Sequence, residues 1–295
     1  MPLAPSNGIE IEYETFGAPA DPAILLVMGL GIQMLGWQEE FCQMLVDRGF
    51  FVIRYDNRDV GLSSKIEDAP VPDVFALMAG NTASASYKVE DMADDAAGLL
   101  DALGIKAAHV VGVSMGGMIG QALAIHHPDR VLSLTSIMST TGNPEVGQPR
   151  PEAIPALISP APNDRDGFIE YQAGLFKLIG SPAYPADAER LRDLIARSYD
   201  RMNYPIGFMR QLAGVVASPD RTEALGSVQA PTLVIHGEND PLIQVSGGEA
   251  TANAVPGAKL LKIPGMGHDL PPELWPQFVD AIVENTERAR AGAEA

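Results

Sequence analysis

The 295-residue chain carries 38 acidic and 20 basic residues, giving a formal net charge of −18, and is 46% hydrophobic with a mean hydropathy of +0.05. Such a composition supports a sizeable core and excludes a wholly disordered chain, while the acidic field repels phosphate backbones and anionic lipid surfaces, so neither nucleic acid nor membrane is an expected partner. A single cysteine, Cys42, excludes an intramolecular disulfide, and Met1 to Gly8 lacks a basic stretch followed by an apolar run, so no signal peptide is read and the cytoplasm is the expected location.

The first half of the chain alternates strand-like and helix-like stretches. Ile9 to Phe16 alternates apolar and polar residues as a half-buried edge strand does. Ala23 to Met28 and Phe51 to Tyr55 are continuous apolar runs, suited to strands covered on both faces. Between them, Trp37 to Val46 has helical spacing. Val89 to Leu103 places Val89, Met92, Ala96, Leu99, Leu100 and Leu103 on one stripe; its acidic residues Asp91, Asp94, Asp95 and Asp101 are read as a solvated face. The strand His109 to Val113, a helix from Met115 to His126 and the strand Val131 to Met138 complete a βαβ rhythm, which implies a parallel twisted sheet with helices on both faces.

That rhythm stops after Ser139. As far as about Ser218 the chain is proline-rich and helical, with amphipathic stretches Phe168 to Ile179 and Leu191 to Met202. The strand Pro231 to His236, a helix near Gly247 to Ala254, the strand Lys259 to Ile263 and a last helix from Pro272 to about Glu284 resume it, and the tail from Arg288 is expected to fray. Residues 1–138 and 219–295 therefore read as one α/β core, and 139–218 as a helical cap insert.

Gly112-Val113-Ser114-Met115-Gly116 joins an apolar strand to a helix. A serine in so sharp a turn has a strained backbone, and only small residues two positions either side avoid a clash, so the pattern marks Ser114 as a nucleophile. Its hydroxyl needs a base. His126 and His127 lie at the far end of the following helix, His109 opens the strand at the wrong edge, and His236 closes another strand. His268, in Gly265-Met266-Gly267-His268-Asp269, follows the last strand at the carboxyl edge where α/β sites form. The base needs an acid. Asp240, in Gly237-Glu238-Asn239-Asp240-Pro241, stands at the same edge and completes the order Ser, Asp, His, with Glu238 and Asp269 as competing carboxylates. Two backbone N–H groups should face the developing oxyanion, one from Met115 and one from Leu30 in Met28-Gly29-Leu30-Gly31.

Together these residues resemble the α/β-hydrolase superfamily over nearly the whole chain outside the insert. Leu25-Leu26-Val27-Met28-Gly29 with Leu35-Gly36-Trp37, Val52-Ile53-Arg54-Tyr55-Asp56 with Arg58-Asp59, His109-Val110-Val111-Gly112, and Ile263-Pro264-Gly265-Met266-Gly267-His268 are similar to the aclacinomycin methylesterase group of actinobacteria. Met28 stands where many superfamily members carry histidine, and Asp59 where glycine is usual; the narrower group shares both. The resemblance implies a Ser-His-Asp carboxylic ester hydrolase with an acyl-enzyme intermediate, a helical cap and no metal or organic cofactor. It places the catalytic roles on Ser114, Asp240 and His268 and the oxyanion contacts on Leu30 and Met115. A lactonase, a carbon–carbon hydrolase and a cofactor-free perhydrolase reuse the same triad, and a non-catalytic ligand receptor is the alternative from another class. The expected partner is a small-molecule ester, with a homodimer left open. Substrate contacts are expected from Gly29, Met34, Trp37, Met138 and Phe208, with Met115, Phe168, Phe176 and Met209 as further wall residues.

Overall fold

The computed structural model describes residues 2–73, 76–77 and 79–293. Eight strands form one sheet: β1 (Leu3–Ser6), β2 (Ile9–Phe16), β3 (Ala23–Val27), β4 (Phe51–Tyr55), β5 (Ala108–Val113), β6 (Val131–Ile137), β7 (Thr232–Gly237) and β8 (Lys259–Ile263). Their spatial order is β1-β2-β4-β3-β5-β6-β7-β8, antiparallel for the β1–β2 and β2–β4 pairs and parallel elsewhere. The central strands β3, β4, β5 and β7 are buried at every residue, as their mostly apolar sequences favour, with Arg54, His109, Thr232 and His236 buried among them.

Helices cover both faces. α1 (Glu39–Val46) lies on one face; α2 (Val89–Ala102) and α3 (Met115–His126) lie on the other. The chain runs from β3 to β4 on one side and returns past β3 to β5 on the other. The reversal makes a topological switch point at the carboxyl ends of β3 and β5. The registers Val27–Gly112, Val113–Ile137, Ile137–Ile235 and Gly237–Ile263 bring the carboxyl ends of five strands to one rim.

Between β6 and β7 the chain contributes α4 (Pro155–Ile158), α5 (Arg165–Ile179), α6 (Ala188–Arg201) and α7 (Pro205–Ala217), and none of the sheet's strands. Asp164 and Asp187 cap α5 and α6 by accepting the N–H groups of Gly167 and Arg190, each at 2.8 Å. α8 (Ser246–Ala254) follows β7, and α9 (Trp275–Ala293) closes the chain.

Five details differ from the sequence expectation. Leu3–Ser6 forms an edge strand paired with β2 through the Ala4–Ile11 register. The helix expected from Trp37 starts at Glu39, after a 3₁₀ turn over Met34–Gly36. α7 follows Pro205, which occupies the first helical turn where its missing N–H costs nothing. Asp95 is buried, not solvated: Arg58 grips both its oxygens at 2.6 Å. Finally, the chain past Arg288 continues α9 as far as Ala293, the last described residue. Asn285 donates to the Leu134 and Pro231 carbonyls at 3.0 and 3.2 Å, and Arg288 to the Thr232 and Gly257 carbonyls at 3.2 and 2.7 Å, so polar side chains moor the helix to the sheet.

Candidate active site

Ser114 sits between β5 and α3 with φ 55° and ψ −119°, a left-handed conformation that costs a non-glycine residue about 1–3 kcal/mol. A Cβ on Gly112 would overlap the Gly116 carbonyl, and one on Gly116 would overlap the Val27 carbonyl, so only glycine fits either position. Hydrogen bonds on both sides of the residue hold the turn. The Ser114 N–H donates to Ile137 O at 2.9 Å, while Ser114 O accepts from the N–H groups of Gly117 and Met118 and from the Ser139 hydroxyl at 2.9, 3.2 and 2.8 Å.

Ser114, Asp240 and His268 lie one, three and five residues past the ends of β5, β7 and β8, on the common rim. The structure brings them together: His268 Nε2 lies 3.0 Å from Ser114 Oγ, and His268 Nδ1 lies 2.7 Å from Asp240 Oδ2. A carboxylate only accepts, so Nδ1 carries the proton of the neutral ring and Nε2 offers its lone pair to the serine hydroxyl. The imidazole and its carboxylate partner are sheltered, His268 at 8% and Asp240 at 1% exposure, while Ser114 is half-buried.

Asp240 is held from every side. Its Oδ1 accepts the N–H groups of Leu242 and Ile243 at 2.8 and 2.9 Å. Burial pushes this carboxyl up, but the electrostatic attraction of the adjoining His268 and His236 rings and the hydrogen bond from His268 outweigh it, and the carboxyl is held down at about 2. His236 was not assigned a role at this carboxylate from the sequence. Its Nε2 is 2.8 Å from Ile243 O and 3.6 Å from Asp240 Oδ2, so Nε2 bears the proton and turns it toward both acceptors. The position at the last residues of a buried strand was the available signal. The His268 loop is fixed by the insert: its N–H donates to Ile179 O at 2.7 Å, and the Gly267 N–H donates to Ser181 Oγ at 2.8 Å. Ser181 in turn donates to Asp269, whose carboxyl therefore faces away from the imidazole, while Glu238 stays exposed.

The loop after β3 lies directly against Ser114. A Cβ on Gly29 would stand 3.2 Å from Ser114 Cβ and 3.8 Å from its Oγ. Ile32 N–H closes a turn onto Gly29 O at 3.3 Å with Gly31 at φ +68°. Among the described residues, the N–H groups of Leu30 and Met115 donate to no protein acceptor.

A cavity of about 390 Å³ opens beside this turn, lined by Leu30, Gly31, Phe168, Phe176, Phe208 and Met209 among others. Trp37 and Met138 stand elsewhere. Both are fully buried in the apolar layer containing Phe41 and Trp275, with the Trp37 and Phe41 rings 5.2 Å apart. Met34 is fully buried with its N–H on Asp56 Oδ1 at 2.8 Å, and Met115 belongs to the layer beneath α3. These four residues are buried in the core and do not line the cavity.

The segment Asp56-Asn57-Arg58-Asp59 carries more than sequence reasoning gave it. Asp56 accepts the Met34 and Leu62 N–H groups and pairs with Arg201 of α6 at 2.7 Å; Asn57 donates to Met28 O at 3.0 Å. Arg58 pairs with Asp95. Asp59, at φ +65°, accepts from the Tyr87 hydroxyl and the Ile66 N–H at 2.9 and 2.8 Å and faces Arg210 of α7 at 3.5 Å. Four consecutive polar residues after a buried strand were the visible signal. Among the described residues, no group of three or more His, Cys, Asp or Glu is placed to hold a metal ion, and no helix is long and apolar enough to cross a membrane.

Comparison with known proteins agrees with this geometry. A family model for the alpha/beta hydrolase fold matches residues 22–273. Rhodomycin D methylesterase DnrP of Streptomyces peucetius is 33% identical over 96% of this chain and 97% of its own. The enol-lactonase of Burkholderia xenovorans LB400 superposes with a TM-score of 0.72 at 26% identity over 96% of this chain and 99% of its own. An esterase of Thermogutta terrifontis superposes with a TM-score of 0.72 at 26% identity over 97% and 98%. The chain therefore belongs to the α/β-hydrolase fold family.

Proposed function

We propose that this protein hydrolyses a neutral carboxylic ester through an acyl-enzyme on Ser114. The observation that carries this is the chain of contacts from Ser114 Oγ to His268 Nε2 at 3.0 Å and from His268 Nδ1 to Asp240 Oδ2 at 2.7 Å. Ser114 Oγ attacks the ester carbonyl carbon while His268 takes its proton; Asp240 holds the ring and stabilises the imidazolium. The Leu30 and Met115 N–H groups, free of protein acceptors, receive the carbonyl oxygen as it gains charge. His268 returns the proton to the departing alkoxide, and water repeats the sequence on the acyl-enzyme to release the acid.

Residues 139–218 act as a cap whose helices supply the cavity wall and so the specificity. That wall combines apolar side chains with Gln33, Asn163, Gln172 and Asn203, and no Asp, Glu, Lys, Arg or His lines it among the described residues. A substrate carboxylate would lose its hydration there with no cation in return. The wall therefore favours a neutral ester body over a lactone or dienoate bearing a free acid, which sets this chain apart from an enol-lactonase despite the shared fold. The test is a series of p-nitrophenyl esters from acetate to decanoate, run beside the p-nitrophenyl monoester of a dicarboxylic acid, with Ser114→Ala as control. Medium neutral acyl chains should be cleaved best and the anionic ester poorly, with Ser114→Ala inactive throughout. Equal turnover by Ser114→Ala would contradict the mechanism, and preference for the anionic ester would contradict the substrate class.

A further inference from the structure

We infer that Gln211, in the insert helix α7, is a positioning residue that sets the direction of the Leu30 N–H in the oxyanion hole; this rests on the ester-hydrolase reading above. Gln211 is fully buried, and each end of its carboxamide meets one backbone group. Its Oε1 accepts the Gly31 N–H at 2.8 Å, and its Nε2 donates to Arg58 O at 2.8 Å. It spans the loops that follow β3 and β4, touching the first immediately after Leu30.

The need for such a clamp follows from the turn itself. Leu30 lies between two glycines, and a Gly29–Ile32 turn with Gly31 at positive φ has a soft central peptide. The closing bond from Ile32 N–H to Gly29 O is long, at 3.3 Å, so it defines the turn weakly. Two side chains bracket the donor instead. Asn57 Nδ2 fixes the Met28 carbonyl at 3.0 Å on one side, and Gln211 fixes the Gly31 N–H on the other. Phe208, three residues earlier on α7, fills the space where any side chain at position 31 would stand, so the same helix both braces the turn and keeps it bare. Helix α7 is in turn tied to the core by Arg210, whose guanidinium faces Asp59 at 3.5 Å and donates to Ala69 O at 2.8 Å. A donor aimed at a transient oxyanion loses its effect when its direction wanders, even if the substrate still binds.

The experiment compares the parent chain with Gln211→Met, which removes both hydrogen bonds at similar volume, and Gln211→Glu, which keeps an oxygen facing Gly31 and in its acid form still donates to Arg58 O. Active sites are counted by fluorophosphonate labelling of Ser114. Measured per labelled site are kcat and KM on p-nitrophenyl butyrate and the Ki of a trifluoromethyl ketone, which gains an oxyanion only after Ser114 adds to its carbonyl carbon. In Gln211→Met, kcat should fall about 10- to 100-fold with KM changed less than about 3-fold, and Ki should rise by the same factor as kcat falls. Gln211→Glu should recover most of both losses. Gln211→Asn, too short to reach Gly31, carries the same expectation if the methionine variant does not fold. Variants with kcat within about 2-fold of the parent per labelled site, or with reduced kcat but unchanged Ki, would overturn the positioning role. A parent chain that takes no fluorophosphonate on Ser114 would instead overturn the hydrolase reading, and this inference with it.

Discussion

Helix α3, behind Ser114, buries ten of its twelve residues, whereas α6 in the insert buries only Ile195 and α5 only Ile169 and Ile179. The rim of the sheet is fixed by close packing and backbone hydrogen bonds, so Ser114, Asp240 and His268 have few alternatives. The insert is joined to that rim through polar side chains: Arg201 to Glu12 and Asp56 at 2.5 and 2.7 Å, Gln33 to the Ser198 and Met202 carbonyls at 2.6 and 2.8 Å, and Gln211 to Gly31. The pairs between α5 and α6, Arg165 with Asp200 and Arg192 with Glu170, are exposed and contribute little. A closely packed half thus carries Ser114, Asp240 and His268 and a moored half lines the cavity; on the proposed reading, the wall can change without disturbing the triad.

Substitutions on the rim should act first on turnover. Ser114→Ala should lower kcat by about five to six orders of magnitude while circular dichroism and melting temperature stay at parent values. Asp240→Asn should cost about 10⁴-fold in kcat, because the amide favours the wrong imidazole tautomer, again with the fold intact. A loss of only a few-fold in either variant would erase the distinction between the two halves.

Substitutions at the moorings should act on stability first. Arg201→Met removes the guanidinium that faces the buried carboxylates Glu12 and Asp56, which should cost about 3 kcal/mol in urea unfolding. Within the wall, Leu175→Phe narrows the cavity; kcat/KM for decanoate esters should drop about 10-fold while acetate turnover holds. The smallest effect concerns pH. The Asp240 carboxyl is held at about 2 in the fold, below its ordinary value of 3.8, so its contribution to stability is complete above about pH 4 and is lost as the pH falls toward 2. The urea midpoints of the parent and Asp240→Asn should therefore differ at pH 6 and converge near pH 2.

The rim was legible in the sequence because each of its requirements leaves a local mark. The elbow needs glycines at 112 and 116, the strands need apolar runs, and the order of serine, aspartate and histidine follows the chain. The wall was not. Trp37 and Met138 are apolar and adjacent to the motifs, yet they fill the layer beneath the sheet, and nothing in periodicity tells a buried aromatic from one lining a cavity. The moorings were hidden for another reason. Asp95 and Arg201 read as ordinary polar helix residues and Gln211 drew no reading, and their partners lie 37, 145 and 180 positions away in the chain. Only a three-dimensional contact distinguishes a solvated carboxylate from one gripped by Arg58.

The most direct measurement is rapid quenching during turnover of p-nitrophenyl butyrate, followed by peptide mass spectrometry. A butyryl group should appear on the peptide containing Ser114 at an early time point, decay with turnover, and be missing in Ser114→Ala and His268→Ala. Butyryl on another residue, or full turnover with none on Ser114, would contradict the central claim.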